Sequence, residues 1–208
     1  MLDLNVRLTH VMAQAAIVGT EQKVNMFIQT EQTPNPATLK FLPGRAVMAQ
    51  GTANFVAADS AARSPLALRL FGIDGVIGVF LGSDFITVAK SDDIEWHVLK
   101  PSILGAVMEH LTAELPIIEI DGATPEADNG DDDAIVSQIK ELLDTRVRPA
   151  VAQDGGDIVY HGFDKGVVYL HMQGACAGCP SSSVTLKMGI ENMLKHYVPE
   201  VIRVEAVL

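Results

Sequence analysis

The spacing of apolar residues predicts two structured blocks separated by one polar stretch. In the first block, one set of large apolar residues recurs at helical spacing and predicts a helix with a single apolar face. The set comprises Trp96, Leu99, Ile103, Val107 and Leu111. Because a tryptophan that opens such a stripe is more often core than contact surface, we expect Trp96 to face the core.

Shorter patterns in the same block predict strands and one further helix. Residues 27–31 and 38–42 flank a proline-containing turn, and residues 75–81 and 85–90 are apolar runs joined by Gly-Ser-Asp. Each pair predicts a hairpin. Ser64-Pro65 predicts a helix start, with a capping serine followed by a first-turn proline. Residues 26–115 are therefore expected to form a small N-terminal mixed α/β domain.

The second block, residues 133–208, begins with a helical stripe that is expected to end in a basic turn at Pro149. Two strands follow, at residues 157–163 and 166–172. A helix over about 180–197 and a strand over 201–207 complete the block. The order helix-strand-strand-helix-strand predicts a three-stranded sheet with two helices on one face. The fold class is thus α+β, with two small domains.

The remaining segments lack a regular apolar pattern. Residues 116–132 gather prolines, glycines and acids, which indicates an acidic flexible linker. Residues 1–25 are expected to be a disordered extension, because they contain one arginine and no uninterrupted apolar centre of a secretory signal. We therefore predict a bacterial cytoplasmic protein, with the mitochondrial matrix as the less favoured alternative.

The charge balance excludes two classes of partner. The chain carries 15 Lys and Arg against 26 Asp and Glu, for a net charge of −11. Nucleic acids and anionic membranes are bound mainly through basic side chains, so neither is an expected partner.

The chain has two cysteines, Cys176 and Cys179, three positions apart. A disulfide across so short a loop would constrain little of the unfolded chain, so reactivity or metal binding is the better interpretation. A CxxC pair alone is compatible with a redox pair, a zinc site or an iron–sulfur cluster. Zinc normally takes four ligands, and strand alternation directs His171 away from the face of its apolar neighbours.

The surroundings of the pair favour a bulky anionic ligand. Its neighbours Gly174, Ala175, Ala177 and Gly178 carry almost no side chain. Cys179 lies at a predicted helix start, where free N–H groups stabilise negative charge. A 4Fe-4S cluster takes four thiolates, so two cysteines per chain are half a set. On the cluster hypothesis, one cluster would bridge a homodimer.

These residues resemble the NifU-like family, specifically the Nfu type. In the second block the resemblance rests on residues 174–191, on Arg148-Pro149 and on the turn Asp154-Gly155-Gly156-Asp157. In the first block it rests on residues 26–31, 33–36 and 39–41. Both motif sets occur in the family's order, and the similarity covers residues 26–208.

The resemblance implies a scaffold or carrier, not an enzyme, with Cys176 and Cys179 as ligands of a 4Fe-4S cluster, one per homodimer. A 2Fe-2S cluster is the alternative cofactor. The implied partners are an upstream cluster assembly machinery as donor and apo iron–sulfur proteins as recipients. Residues 154–157 and Ser181 to Ser183 are expected to have structural roles, as a glycine turn and as helix caps.

Two other hypotheses remain open: a CxxC thiol–disulfide oxidoreductase and a zinc-stabilised interaction module. The chain lacks the cysteine-rich and ferredoxin-like domains of full-length NifU, and its first block has no thiol. Recognition is therefore a better hypothesis than chemistry for that block.

Overall fold

The computed structural model describes residues 27–119, 133–178 and 180–207. It confirms the α+β class, because a five-stranded sheet and a separate three-stranded sheet are each packed against helices. The predicted N-terminal extension and all but the first four residues of the predicted linker lie outside the described residues.

The first sheet is antiparallel throughout, with strand order β1-β2-β5-β4-β3. Its strands are β1 (Gln29–Gln32), β2 (Thr38–Leu42), β3 (Ala53–Phe55), β4 (Val76–Leu81) and β5 (Ile86–Lys90). Both predicted hairpins are present, as β1–β2 and β4–β5. The edge strand β3 and a 3-10 turn over Ala58–Ala61 were not predicted.

Two helices pack on this sheet. Helix α1 (Pro65–Phe71) begins as predicted, because the Ser64 side chain accepts a hydrogen bond from the Ala67 N–H and Pro65 occupies the first turn. Helix α2 (Trp96–Thr112) carries the predicted stripe. Its last four members are buried, and Trp96 is partly buried against the same core, with its indole N–H donating to the carbonyl of Pro36.

The second sheet has strand order β6-β7-β8, with β6 (Gly156–Asp164) antiparallel and β8 (Arg203–Val207) parallel to β7 (Val167–Gly174). A parallel neighbour requires a long crossover. Helix α5 (Pro180–Tyr197) supplies it. Its Ile190 and Leu194 are buried in the second core, together with Val168 and Leu170 of β7.

The first helix of the second block is longer than predicted. Helix α3 (Ala134–Leu142) continues through a π-helical turn, Leu143–Val147, into α4 (Arg148–Gln153). The predicted end at Pro149 is therefore wrong. Proline lacks an N–H, but at the start of a new helical segment no intrahelical bond is required of it.

The two blocks have separate hydrophobic cores. One core gathers residues between 28 and 111, and the other gathers residues between 139 and 204. Within the described part of the chain, no helix combines the length and apolar character needed to cross a bilayer.

Candidate functional site

The loop after β7 carries the first cysteine and is folded tightly on its own backbone. The N–H of Cys176 donates to the carbonyl of Gln173 (3.3 Å), and that of Ala177 donates to Gly174 (3.1 Å). The Ala175 N–H donates to the carbonyl of Gly155 (3.1 Å), which ties the loop to the turn before β6. We call residues 174–178 the cysteine loop.

The Cys176 thiol faces inward in this arrangement. Cys176 is 6% exposed and packs with the second core. Burial raises the pKa of the Cys176 thiol to about 12, and the charges of Asp154 and Asp157 add to the shift. Since thiolate is the form that binds metal or attacks a disulfide, the buried arrangement disfavours both reactions.

The second predicted ligand, Cys179, lies outside the described residues. Pro180 begins α5 as predicted, while the capping roles expected of Ser181 to Ser183 remain predictions. In the described ranges, no three His, Cys, Asp or Glu side chains are placed to hold a metal ion. His171 is half-buried between Leu170 and Met172, which are both buried, as the strand alternation predicted.

The backbone of the Asp-Gly-Gly-Asp turn lies very close to neighbouring residues, including Cys176 and Thr87. Gly155 has φ of 84°, a conformation that favours glycine. A Cβ placed on Gly156 would lie 2.5 Å from Cys176 Sγ, so only a residue without a side chain fits beside the thiol. The structural role expected for this turn is what the geometry requires.

Asp157 is a connecting residue that the motif analysis did not single out for chemistry. Its buried carboxylate accepts two hydrogen bonds from the Arg148 guanidinium, each 2.8 Å long. It also accepts one from the backbone N–H of Ile158 and one from the hydroxyl of Thr52. The hydrogen bonds from Arg148 to Asp157 raise the pKa of the Arg148 guanidinium further above its already high value. Arg148 and Asp157 therefore fix the turn against α4, and Thr52 joins them to the first domain.

Further hydrogen bonds from the first domain reach the cysteine loop and its turn. The Asn35 amide donates to the carbonyl of Ala177 (2.9 Å), and the Thr87 hydroxyl donates to the carbonyl of Gly155 (2.7 Å). The Lys40 ammonium donates to the carbonyl of Gln153 (3.0 Å). Sequence reasoning missed this contact because its partners are 68 to 142 positions apart in the sequence, and no local pattern pairs them.

Phe80 provides the apolar part of the same contact. It is 1% exposed, and a Cβ placed on Gly174 would lie 2.9 Å from its ring. A cavity of about 510 Å³ lies next to this contact, lined among others by Ile77, Ala177 and Gly178. The cysteine loop is thus covered by the first domain with a partly open seam.

Two family models match the chain in the order seen in the fold. Residues 28–114 match the model described as "Scaffold protein Nfu/NifU N terminal", and residues 139–205 match the "NifU-like domain". The chain is 56% identical over 190 residues to NifU-like protein 5, mitochondrial, of Arabidopsis thaliana, covering 89% of this chain and 69% of that protein. The chain belongs to the Nfu-type NifU-like family. That membership confirms the resemblance inferred from the motifs.

The chain is also similar to a human protein. The chain is 50% identical over 184 residues to the NFU1 iron-sulfur cluster scaffold homolog, mitochondrial, of Homo sapiens, covering 88% of this chain and 72% of that protein. A solution structure of a NifU-like protein from Saccharomyces cerevisiae superposes with a TM-score of 0.42 at 23% identity, covering 58% of this chain and all of that one.

The predicted bacterial cytoplasmic location is wrong. The similar plant and human proteins are named mitochondrial. The prediction relied on the few basic residues within positions 1–25, and the net charge and core pattern of the remaining chain carry no information about compartment.

Proposed function

We propose that this chain is an iron–sulfur cluster scaffold or carrier that holds a 4Fe-4S cluster on Cys176 and Cys179. Two chains would supply the four thiolates, with one cluster per homodimer, and the cluster would pass to apo-proteins. A 2Fe-2S cluster is the alternative cargo. The role is one of binding and transfer, not catalysis.

One observation carries the proposal: the two cysteines of this chain form a CxxC pair in a domain that matches the NifU-like family. A 4Fe-4S cluster needs four thiolates, and a second copy of the same loop supplies the missing pair. The residues of the loop are small, and α5 starts directly after it, which leaves space and N–H groups for an anionic cluster. A human relative is named an iron–sulfur cluster scaffold homolog, which supports the same function.

The domain division and the cellular role follow from the same proposal. Residues 26–115 and 133–208 would act as separate domains joined by residues 116–132. The recipients would be apo iron–sulfur proteins, and the donor an upstream assembly machinery. The names of the relatives support a mitochondrial location.

Anaerobic reconstitution with iron and sulfide tests this function. We expect a dimer with about four iron per two chains. Cys176→Ala and Cys179→Ala should each remove most of the bound iron, whereas Ser83→Ala, an exposed change in the first domain, should remove none. Unchanged iron content in both cysteine variants would contradict the proposal.

The same preparation tests the two other hypotheses. A thiol–disulfide oxidoreductase predicts insulin reduction by iron-free protein and a midpoint potential near that of thioredoxin. The raised pKa of Cys176 does not separate these hypotheses, because disulfide attack and metal binding both require the thiolate. A zinc-stabilised module predicts equimolar zinc and a melting temperature that falls with a chelator.

A further inference from the structure

The face of the first sheet that lies opposite its helices is covered by the second domain. Side chains alternate along a strand, so β2, β4 and β5 each present one set of residues to the helices and another to this face. The second set includes Thr38, Lys40, Phe80 and Thr87. Phe80 and Thr87 are each 1% exposed, although Phe80 belongs to neither hydrophobic core.

What covers this face is the cysteine loop and the turn packed beneath it. Asn35 and Thr87 donate to carbonyls of Ala177 and Gly155, and the Phe80 ring lies against Gly174. A Cβ placed on Gly155 would lie 2.8 Å from Thr87 Oγ1. The first domain is therefore in direct contact with both backbone segments that surround Cys176.

This covered loop does not fit a bridging cluster. A cluster held by two chains requires the thiols of each loop to point outward and a second loop to approach them. Cys176 instead lies 6% exposed, with Gly156 at its back. The carbonyl of Ala177, on the outer side of the loop, is already hydrogen-bonded to Asn35 of the first domain.

We propose that the first domain is a reversible cap on the cysteine loop, so that the chain must open between its domains before it can share a cluster with a second copy. This inference rests on the proposed function for the need to open. The cap gives the thiol-free first domain a defined role: it keeps Cys176 inaccessible until the loop is released.

The composition of the contact is compatible with opening. Its hydrogen bonds run from side-chain donors of the first domain to three backbone carbonyls and to the Asp157 carboxylate. Water can satisfy all of these groups once the domains separate. The cavity of about 510 Å³ along the seam shows that the two surfaces are not packed as a core is packed. The covering domain is joined to the loop's domain by the chain itself, so closure is an intramolecular event at high effective concentration.

The test uses thiol accessibility in the full chain without a cluster. In a Cys179→Ser background, Cys176 is the single thiol of the chain, and its rate of alkylation by a maleimide reports its exposure. The opening variant combines Asn35→Asp with Thr87→Val. Aspartate still accepts from the Ala37 N–H, as Asn35 does, but places a carboxylate against the carbonyl of Ala177. Valine keeps the shape of Thr87 and loses its bond to Gly155.

A matched control carries the same two kinds of change at exposed positions, Gln29→Glu with Thr112→Val. We expect the opening variant to alkylate at least about tenfold faster than its parent, since each lost hydrogen bond shifts the closed state by a few-fold to tenfold. The control should stay within about twofold of the parent. Equal rates in the opening variant and the control would overturn the cap.

If the double variant does not fold, Thr87→Val alone is isosteric and provides the same readout at smaller amplitude. A second arm restores Cys179 and follows the rate of cluster reconstitution, which the opening variant should raise. Absence of cluster in every protein, parent included, would refute the proposed function while the alkylation result still decides the cap. Equal alkylation together with normal cluster loading would refute the cap alone.

Discussion

The two faces of the first sheet are both covered, but they are covered in different ways. Toward α1 and α2 the sheet presents apolar side chains that form one continuous core. Toward the second domain the sheet presents Thr87 and Lys40, which donate to backbone carbonyls, together with Phe80, and the turn between β1 and β2 adds the Asn35 amide. The first face is covered by helices of its own domain. The second face is covered by residues of the other domain.

The difference shows how burial alone can mislead. Leu81 on the helix face and Phe80 on the loop face are almost equally buried, at 0% and 1% exposed. Burial of apolar area stabilises by about 25 cal/mol per Å² only as long as the area stays buried. Residues on the loop face should therefore contribute less to the unfolding free energy than their exposure suggests.

The largest effect is expected on the helix face. Ile103→Ala removes a fully buried side chain from the centre of α2 and should lower the free energy of unfolding by about 2–5 kcal/mol. Urea unfolding followed by fluorescence of Trp96, the single tryptophan, measures this value for the first domain. The exposed change Val98→Ala on the same helix is the control. A loss below about 1 kcal/mol for Ile103→Ala would mean that this core is not cooperative.

A smaller effect is expected on the loop face. Phe→Ala in a permanent core costs about 3–5 kcal/mol. Phe80→Ala should cost about 1–2 kcal/mol, because the domains can separate and leave the site to water. Loss of its tilted ring contact with Phe85, at a centroid distance of 5.9 Å, accounts for part of that cost. A full core-like loss would show that this face never opens.

The smallest effect is a pH dependence of the stability, which we expect from His110 in the last turn of α2. His110 on α2 is buried, and its Nε2 lies 3.1 Å from the carbonyl of Pro116. Burial lowers the pKa of His110, and the charge of Arg69 acts in the same direction. The unfolded chain therefore binds a proton at a higher pH than the folded chain does.

For this reason, stability should be constant above the ordinary histidine pKa of about 6.5 and should fall as the pH drops below it. Melting curves between neutral and mildly acidic pH measure this slope. His110→Gln should flatten it, whereas His97→Gln, at an exposed position of the same helix, should not. An identical slope in both variants would assign the acid sensitivity to other groups.

Local patterns were sufficient to predict most of the elements. Three of these patterns involve only residues that are close together in the sequence. They are the apolar stripe of α2, the Ser64-Pro65 start of α1 and the alternation in β7. Strand β3 was missed because three residues give too short a pattern. The end of the first helix in the second block was misplaced because a π-helical turn lets Pro149 start a new segment.

The sequence singles out candidate residues for the site, but it does not predict their surroundings. Spacing and family resemblance pointed to Cys176, which the structure places in a tight loop after β7. Cys176 packs with the second core and against Gly156, and the loop that carries it is bonded to residues far away in sequence, such as Asn35. One signal was present: β4 reads as a nearly continuous apolar run, which is typical of a strand covered on both faces.

The two adjacent glycines of the turn before β6 have a consequence for how this protein can change over generations. Gly155 lies under Thr87 and Gly156 lies behind Cys176, so the thickness between the first sheet and the sulfur atom is that of bare backbone. No side chain exists there whose replacement by a slightly larger or smaller one could adjust the gap. Selection on the strength of the contact between the domains must therefore act on the side chains of the first domain that reach these segments, such as Asn35, Thr52 and Thr87, while the two glycines accept no larger residue.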